Sequence, residues 1–510
     1  AVGGDGDVTI SGGTITATGG SLGAGIGGGA YGNGTVTVTD GDITAKATGR
    51  YGAGIGGGYG AIPKDTLIGG NGTVTISGGT ITEASGGYMA AGIGSGFQGL
   101  GTVTIEGDAV IKNAQGGEAG AGIGSGTSGD SNILIRGNAI IENAESKTGG
   151  AGIGSGQGFY YEDDDGLRVI DSTVGNVTIE GNAKIENAKS GYGGSGIGGG
   201  AIGIGNVIIR GNAQIGNATG GDEGAGIGGG GIGTGDVTIE GNVTIENAQG
   251  GAGAAGIGGG AETEPDTEDT RNKVSIKSTE AGSPNITATG GGVLNDENYP
   301  LPGAAAIGSG SVADGATEVK SDITIEGKVT INATGGGDVA IGDSTNGETQ
   351  FSGLQVGTTI TRRNAKGDDV SQPGDVVREQ APTETEGAEA PSTGSVEVER
   401  PVTVEGLYVT NVLGKQITHT CTQNGTTLTI RANGIVTSAH LTLGMVRTLK
   451  AQGVKTLVFT TLLSRSTTVS VDALLAAEPD APDEAAVVWT HTGLRAALTI
   501  DGADHSDLLK

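Results

Sequence analysis

Ala53-Gly54-Ile55-Gly56-Gly57-Gly58 is one copy of a hexapeptide that recurs along the first two-thirds of this 510-residue chain. Its central isoleucines are Ile26, Ile55, Ile93, Ile123, Ile153, Ile197, Ile227 and Ile257, with degenerate copies around Ile307 and Ile341. Most steps between them are close to thirty residues, and the longer ones carry insertions. Self-similarity at such a period is the signature of a repeat architecture.

Two further signatures stand in each repeat. One is an apolar-polar-apolar triplet, as in Val74-Thr75-Ile76, Val103-Thr104-Ile105 and Val237-Thr238-Ile239. Such alternation predicts a strand with one buried face. The other is an Ile-x-Asn-Ala strand end, as in Ile111-Lys112-Asn113-Ala114 and Ile245-Glu246-Asn247-Ala248. Three short strands per repeat, with glycine at every junction, predict a mainly β protein built as a parallel β-solenoid of about ten coils. A helical repeat is excluded because helix interiors do not tolerate so much glycine and β-branched residue. Collagen is excluded because glycine is not at every third position, and a propeller blade needs four strands.

The residue after each triplet tests the register. It reads Ser11, Thr39, Ser77, Glu106, Arg136, Glu180, Arg210, Glu240, Lys277, Glu326, so the sign alternates from the fourth coil onward. Stacked coils place equivalent residues ~4.8 Å apart, where alternating charges attract and like charges repel. A second expected column is Asn113, Asn143, Asn187, Asn217, Asn247 and Asn332, amides that hydrogen-bond along the axis at a corner. The Gly-rich strand does not match a dinucleotide fingerprint, having no βαβ unit around it.

Composition agrees. The chain has 109 glycines, and aromatic residues make up only 3%. A solenoid needs only stacks of Ile, Val and Ala, because each coil packs on its neighbours alone. A formal net charge of −29 argues against nucleic acid or an anionic membrane as partner. No apolar stretch is long enough to predict membrane insertion. The single cysteine, Cys421, rules out an intrachain disulfide framework.

Three domains are expected: the solenoid over residues 1–358, an acidic Pro/Thr/Glu-rich linker over 359–397, and a small α+β domain over 398–510. In the last, Asn424-Gly425 between two apolar runs predicts a hairpin. Ser438 is placed as the cap of a single helix running through Gln452 and packing on an antiparallel sheet. All four histidines, His419, His440, His491 and His505, fall here in no metal-binding pattern.

The stretch Val74-Thr75-Ile76-Ser77-Gly78-Gly79-Thr80-Ile81-Thr82, together with Ala53 to Gly58, resembles the Gly-rich parallel β-helix repeats of large surface proteins from Gram-positive gut bacteria. That resemblance implies an extracellular, secreted or cell-surface protein, adhesin-like, with a glycan or host surface glycoprotein as partner.

Insertions at 59–71, 157–174 and 261–272 all follow the Gly-rich strand and so share one corner. Aromatic residues gather near it: Tyr31, Tyr51, Tyr59, Tyr88, Phe97, Phe159, Tyr160, Tyr161 and Tyr192. Tyrosine offers a flat apolar plate with a hydrogen-bonding tip, which suits a sugar ring. Tyr160, Tyr161, Tyr51, Tyr59, Tyr88 and Tyr192 are therefore the candidate ligand contacts; anchoring of loops over the glycine strand is the structural alternative. The run Glu162-Asp163-Asp164-Asp165 is a candidate Ca²⁺ site, or an acid and base pair for glycoside hydrolysis, and otherwise a solvated loop; no other cofactor is implied. No catalytic residue can be named. The function expected is carbohydrate binding through loops on one face of the solenoid. The alternative is a glycoside hydrolase or polysaccharide lyase on the same scaffold. Ice binding through Thr9, Thr37, Thr75 and Thr104 is disfavoured, since Leu134 and Ile208 interrupt that column.

Overall fold

In the computed structural model, residues 3–60, 70–162, 168–261, 271–293, 301–312, 320–343, 350–372 and 374–377 are described in the first part of the chain. In the second part they are 400–509 without 403, 405, 412–413, 418, 433–435, 462–465, 480 and 493–494. The chain divides into two compact units, Ala1–Pro382 and Thr383–Lys510.

The first unit is a parallel β-solenoid. Each coil has three strands, exemplified by Gly101–Ile105, Val110–Gln115 and Ile123–Gly124. Every described coil pairs in parallel with the next. The Ile-Gly strands form a 10-stranded sheet from Ile26–Gly27 to Ile341–Gly342, and the other two strand columns form one 20-stranded sheet. The isoleucines Ile55, Ile93, Ile123, Ile153, Ile197, Ile227 and Ile257 are fully buried in a single axial stack. They meet the inward residues of the other strands, such as Val103, Ile105, Ile111 and Ala114. At ~4.8 Å per coil, ten coils make a rod about 50 Å long.

The glycine after each stacked isoleucine is set by geometry. Its φ is +132° at Gly198 and +130° at Gly228. A Cβ on Gly198 would lie 2.1 Å from the carbonyl oxygen of Gly228 in the next coil. Only glycine reaches this backbone region and lets the coils approach so closely. The next residue is Gly in some coils and Ser in others, and the serines serve a different end. The buried hydroxyl of Ser95 donates to the carbonyl of Gly99, 2.7 Å away, and accepts the Gly126 amide of the next coil. The Ser95 hydroxyl, the Gly99 carbonyl and the Gly126 amide thereby satisfy one another inside the rod.

The charge column is present. Arg136 bonds Glu106 and Arg210 bonds Glu180, each through two guanidinium nitrogens, and Lys277 reaches Glu326 at 3.5 Å. Arg210 also stands in register beside Glu240. The asparagine column differs from expectation. Asn143, Asn187, Asn217 and Asn247 each donate to the asparagine of the preceding coil, but they lie within the second strand rather than at a corner. Ile111 and Ala114 are both buried, and likewise Ile245 and Ala248. Two outward residues between inward ones make a bulge, and this bulge is stacked coil upon coil. Asn332 does not belong to it. Its flanking residues Ile331 and Ala333 alternate regularly, and it pairs with Thr287.

The stacking also runs past the expected boundary at residue 358. Thr359–Arg363 pairs with Thr330–Thr334, and the chain then folds back so that Ile360 donates its amide to the carbonyl of Asp375. Arg362 and Asp375, 2% and 1% exposed, form a bidentate ion pair at 3.0–3.2 Å. The Phe351 ring lies 5.4 Å from the guanidinium carbon. This buried pair closes the last coil. The first coil has no such cover among the described residues, and Val8, Ile15 and Ala17 are only partly buried.

The second unit is a small mixed domain with two sheets, one of five strands and one of six. Asn424-Gly425 does join a hairpin, His419–Asn424 with Thr427–Ala432. The helical expectation is corrected twice. Val436–Thr442 is a strand, since Ala439 and Leu441 alternate inward, and the helix is only Leu443–Ala451, capped by Thr442. A second helix, Val471–Ala477, starts after Ser470. Nor is the sheet purely antiparallel: Thr427–Ala432 pairs in parallel with Thr456–Thr461. His491 is fully buried between the hydroxyls of Thr461 and Thr467, at 3.2 and 2.8 Å.

Candidate functional site

The Gly-rich strand forms a tight arch, because the amide of Ala53 bonds the carbonyl of Gly57, and Ala91 likewise bonds Ser95. The residues that flank the arch are held in columns by axial hydrogen bonds. Tyr31 donates its amide to Tyr59, Gly60 to Phe97, and Phe97 to Tyr51. The axial stacking brings the rings against one another. Tyr31 and Tyr59 have centroids 5.0 Å apart, Tyr51 and Tyr59 4.7 Å, Tyr51 and Phe97 5.4 Å. Tyr59 and Phe97 are nearly parallel, 13° apart at 5.8 Å. All four rings are half-buried.

Burial raises the Tyr59 hydroxyl pKa, with smaller contributions from Tyr31 and Tyr51. The Tyr59 hydroxyl therefore stays protonated at neutral pH and offers a donor beside an apolar ring surface. Next to this quartet Tyr88 is 45% exposed, with the Arg50 guanidinium carbon 5.8 Å from its ring centre.

Two of the expected contacts, Tyr51 and Tyr59, are thus brought together, joined by Tyr31 and Phe97, with Tyr88 adjacent. Tyr192 lies three coils along the rod. Its hydroxyl is 3.3 Å from Glu223 Oε1. Burial raises the Glu223 pKa, partly countered by the Tyr192 hydrogen bond. Tyr160, Tyr161 and Glu162 stand on the first strand of an antiparallel hairpin, Phe159–Glu162 with Arg168–Asp171, and their side chains lie outside the described residues. Asp163, Asp164 and Asp165 lie outside them altogether. Among the described residues no group of three or more His, Cys, Asp or Glu is placed to hold a metal ion.

Arg50 and Glu223 were not expected from the sequence. Arg50 immediately precedes Tyr51. Glu223 takes a corner position that the coils on either side fill with Gly193 and Gly253, with φ +69° and +74°; its own φ is +71°. An acidic residue in a glycine column was the available signal.

Other surfaces are accounted for by the fold. A shallow groove of about 410 Å³ follows Arg136, Glu180, Arg210 and Glu240, where Arg210 pairs with Glu180 and Arg136 with Glu106. The threonine column is in register but carries Leu134 and Ile208, the latter 40% exposed. In the second unit burial pushes the Cys421 thiol up to about 11, which leaves it protonated and unreactive. His440 stacks on Tyr408 at 4.6 Å and bonds Thr410. No helix among the described residues is long and apolar enough to cross a membrane.

Comparison with known proteins gives one family. A model of the β-helix repeat matches residues 8–30, 31–59 and 74–97, which are the first three coils. No curated protein and no solved structure matches the chain. A β-helix repeat is consistent with a surface protein or with an enzyme acting on polysaccharide.

Proposed function

We propose that this chain is an extracellular, adhesin-like binding protein that takes a carbohydrate of a glycan or surface glycoprotein on the aromatic face of its first three coils. One observation carries the reading. In a chain with only 3% aromatic residues, four rings from successive coils are gathered into one half-buried patch beside the glycine-rich arches. The rings pack on one another and stay partly open to solvent, and a flat apolar ring with a hydrogen-bonding tip suits a sugar ring. The flanking Tyr88, held by Arg50, extends the surface.

A glycan array with reducing-end detection tests this. The wild-type chain is expected to bind a subset of glycans and release no product. Tyr51→Ala with Tyr88→Ala is expected to weaken that binding at least tenfold without lowering the melting temperature of the rod, whose core isoleucines lie elsewhere. A chain ending at residue 377 is expected to bind as the full chain does. Normal binding by the double variant, together with loss in the shortened chain, would move recognition to the second unit. Loss in Tyr160→Ala with Tyr161→Ala alone would move it to the inserted hairpin. Release of new reducing ends would make the protein an enzyme.

A further inference from the structure

Tyr88 and Tyr192 belong to one axial column. Met89 donates its amide to the carbonyl of Arg50, Ala119 to Tyr88, Gly149 to Glu118, and Tyr192 to Thr148; Tyr192 then forms a parallel bridge with Asp222. The two exposed tyrosines, 45% and 52% open, therefore face the same way from coils three steps apart, ~14 Å along the rod. Among the described residues of this column, Glu118 and Thr148 stand between them.

We infer that the ligand is a neutral glycan chain laid along the solenoid axis, with a second contact zone formed by Tyr192 and Glu223; this rests on the carbohydrate reading above. The Tyr192 ring supplies a plate. Glu223 fixes its hydroxyl and keeps a second carboxylate oxygen for a sugar hydroxyl, a charge-assisted bond. Glu223 holds a positive φ that Gly193 and Gly253 occupy without cost in the neighbouring coils. The fold does not call for glutamate there, so its side chain is the reason for its presence. Charge selects the ligand class. Glu118, Asp222 and Glu223 line this stretch and outnumber Arg50 at its Tyr88 end, on a chain of net charge −29, so a uronate or sulfated chain is repelled while neutral hydroxyls find acceptors.

The test uses the full chain and a panel of a neutral β-glucan, a mannan and a galactan, beside polygalacturonate and a sulfated glycan. Oligosaccharides shorter and longer than ~14 Å are cut from whichever neutral chain binds. Glu223→Gly restores the residue type of its column and so spares the fold; Tyr192→Ala removes an exposed ring. Each is expected to weaken the long oligosaccharide about tenfold and leave the short one unchanged, with the acidic glycans unbound throughout. If both variants hold long and short chains as the wild type does, the second zone is refuted while the aromatic patch stands. Tighter binding of polygalacturonate than of any neutral chain refutes the ligand class. If the wild type binds no glycan, the carbohydrate reading itself falls and this inference with it.

Discussion

Single residues in this protein act through the coil above or below. Arg210 is the clearest case, since it bonds Glu180 and stands in register with Glu240. Arg210→Glu should cost about 1 kcal/mol, because the pair is largely solvent-exposed. The loss should shrink in high salt, and Glu180→Arg in the same chain should recover part of it; denaturant unfolding at two ionic strengths measures both. Glu223 gives a pH signature. Burial raises its folded pKa above the ordinary value of 4.5. The folded state thus holds the proton more tightly than the unfolded state does. Its contribution to stability is full below about 4.5 and is lost as pH rises through the folded pKa. Glu223→Gln should flatten that part of the melting profile against pH. The alternating charge column was legible in the sequence because sign survives without coordinates. Glu223 was not, because a carboxylate among glycines reads as a loop residue until the stacking register names its neighbours.

At the level of elements, the isoleucine columns were legible because one residue type returns in one motif. The bulge was legible in principle and was missed. Ile111 and Ala114 are three residues apart and cannot both face inward in a regular strand, so the extra residue was implied by their spacing. The same test would have separated Asn332, whose flanking apolar residues are two apart. In the second unit Ser438 was a plausible cap, but the alternation of Ala439 and Leu441 made a strand and handed the cap to Thr442. The closing segment of the solenoid was illegible for a different reason. Arg362 and Asp375 stand in a polar stretch, and two charges thirteen residues apart carry no sign that they will be buried together. Asp375→Ala would leave that arginine buried and unpaired, a loss of about 3–5 kcal/mol. Hydrogen exchange should quicken first at Thr359–Arg363, and Arg362→Met together with Asp375→Leu should restore protection, because well-packed apolar residues can replace a buried pair.

For the whole molecule, the architecture followed from periodicity, whereas the aromatic patch needed the structure, because Tyr31, Tyr51, Tyr59 and Phe97 are scattered over nearly seventy residues and meet only through stacking. The hydrogen bonds of the solenoid unit also point along its axis, since strands lie across it and pair with the coil above and below. The unit has a mechanical consequence. Pulled between its ends, it bears load on its coil interfaces in series. Each coil that lets go releases some thirty residues, roughly 100 Å of slack. Stretching the unit in a force spectrometer should therefore give a train of small, even steps rather than one large rupture. A tether of this kind lengthens under drag while the coils still stacked keep their faces intact.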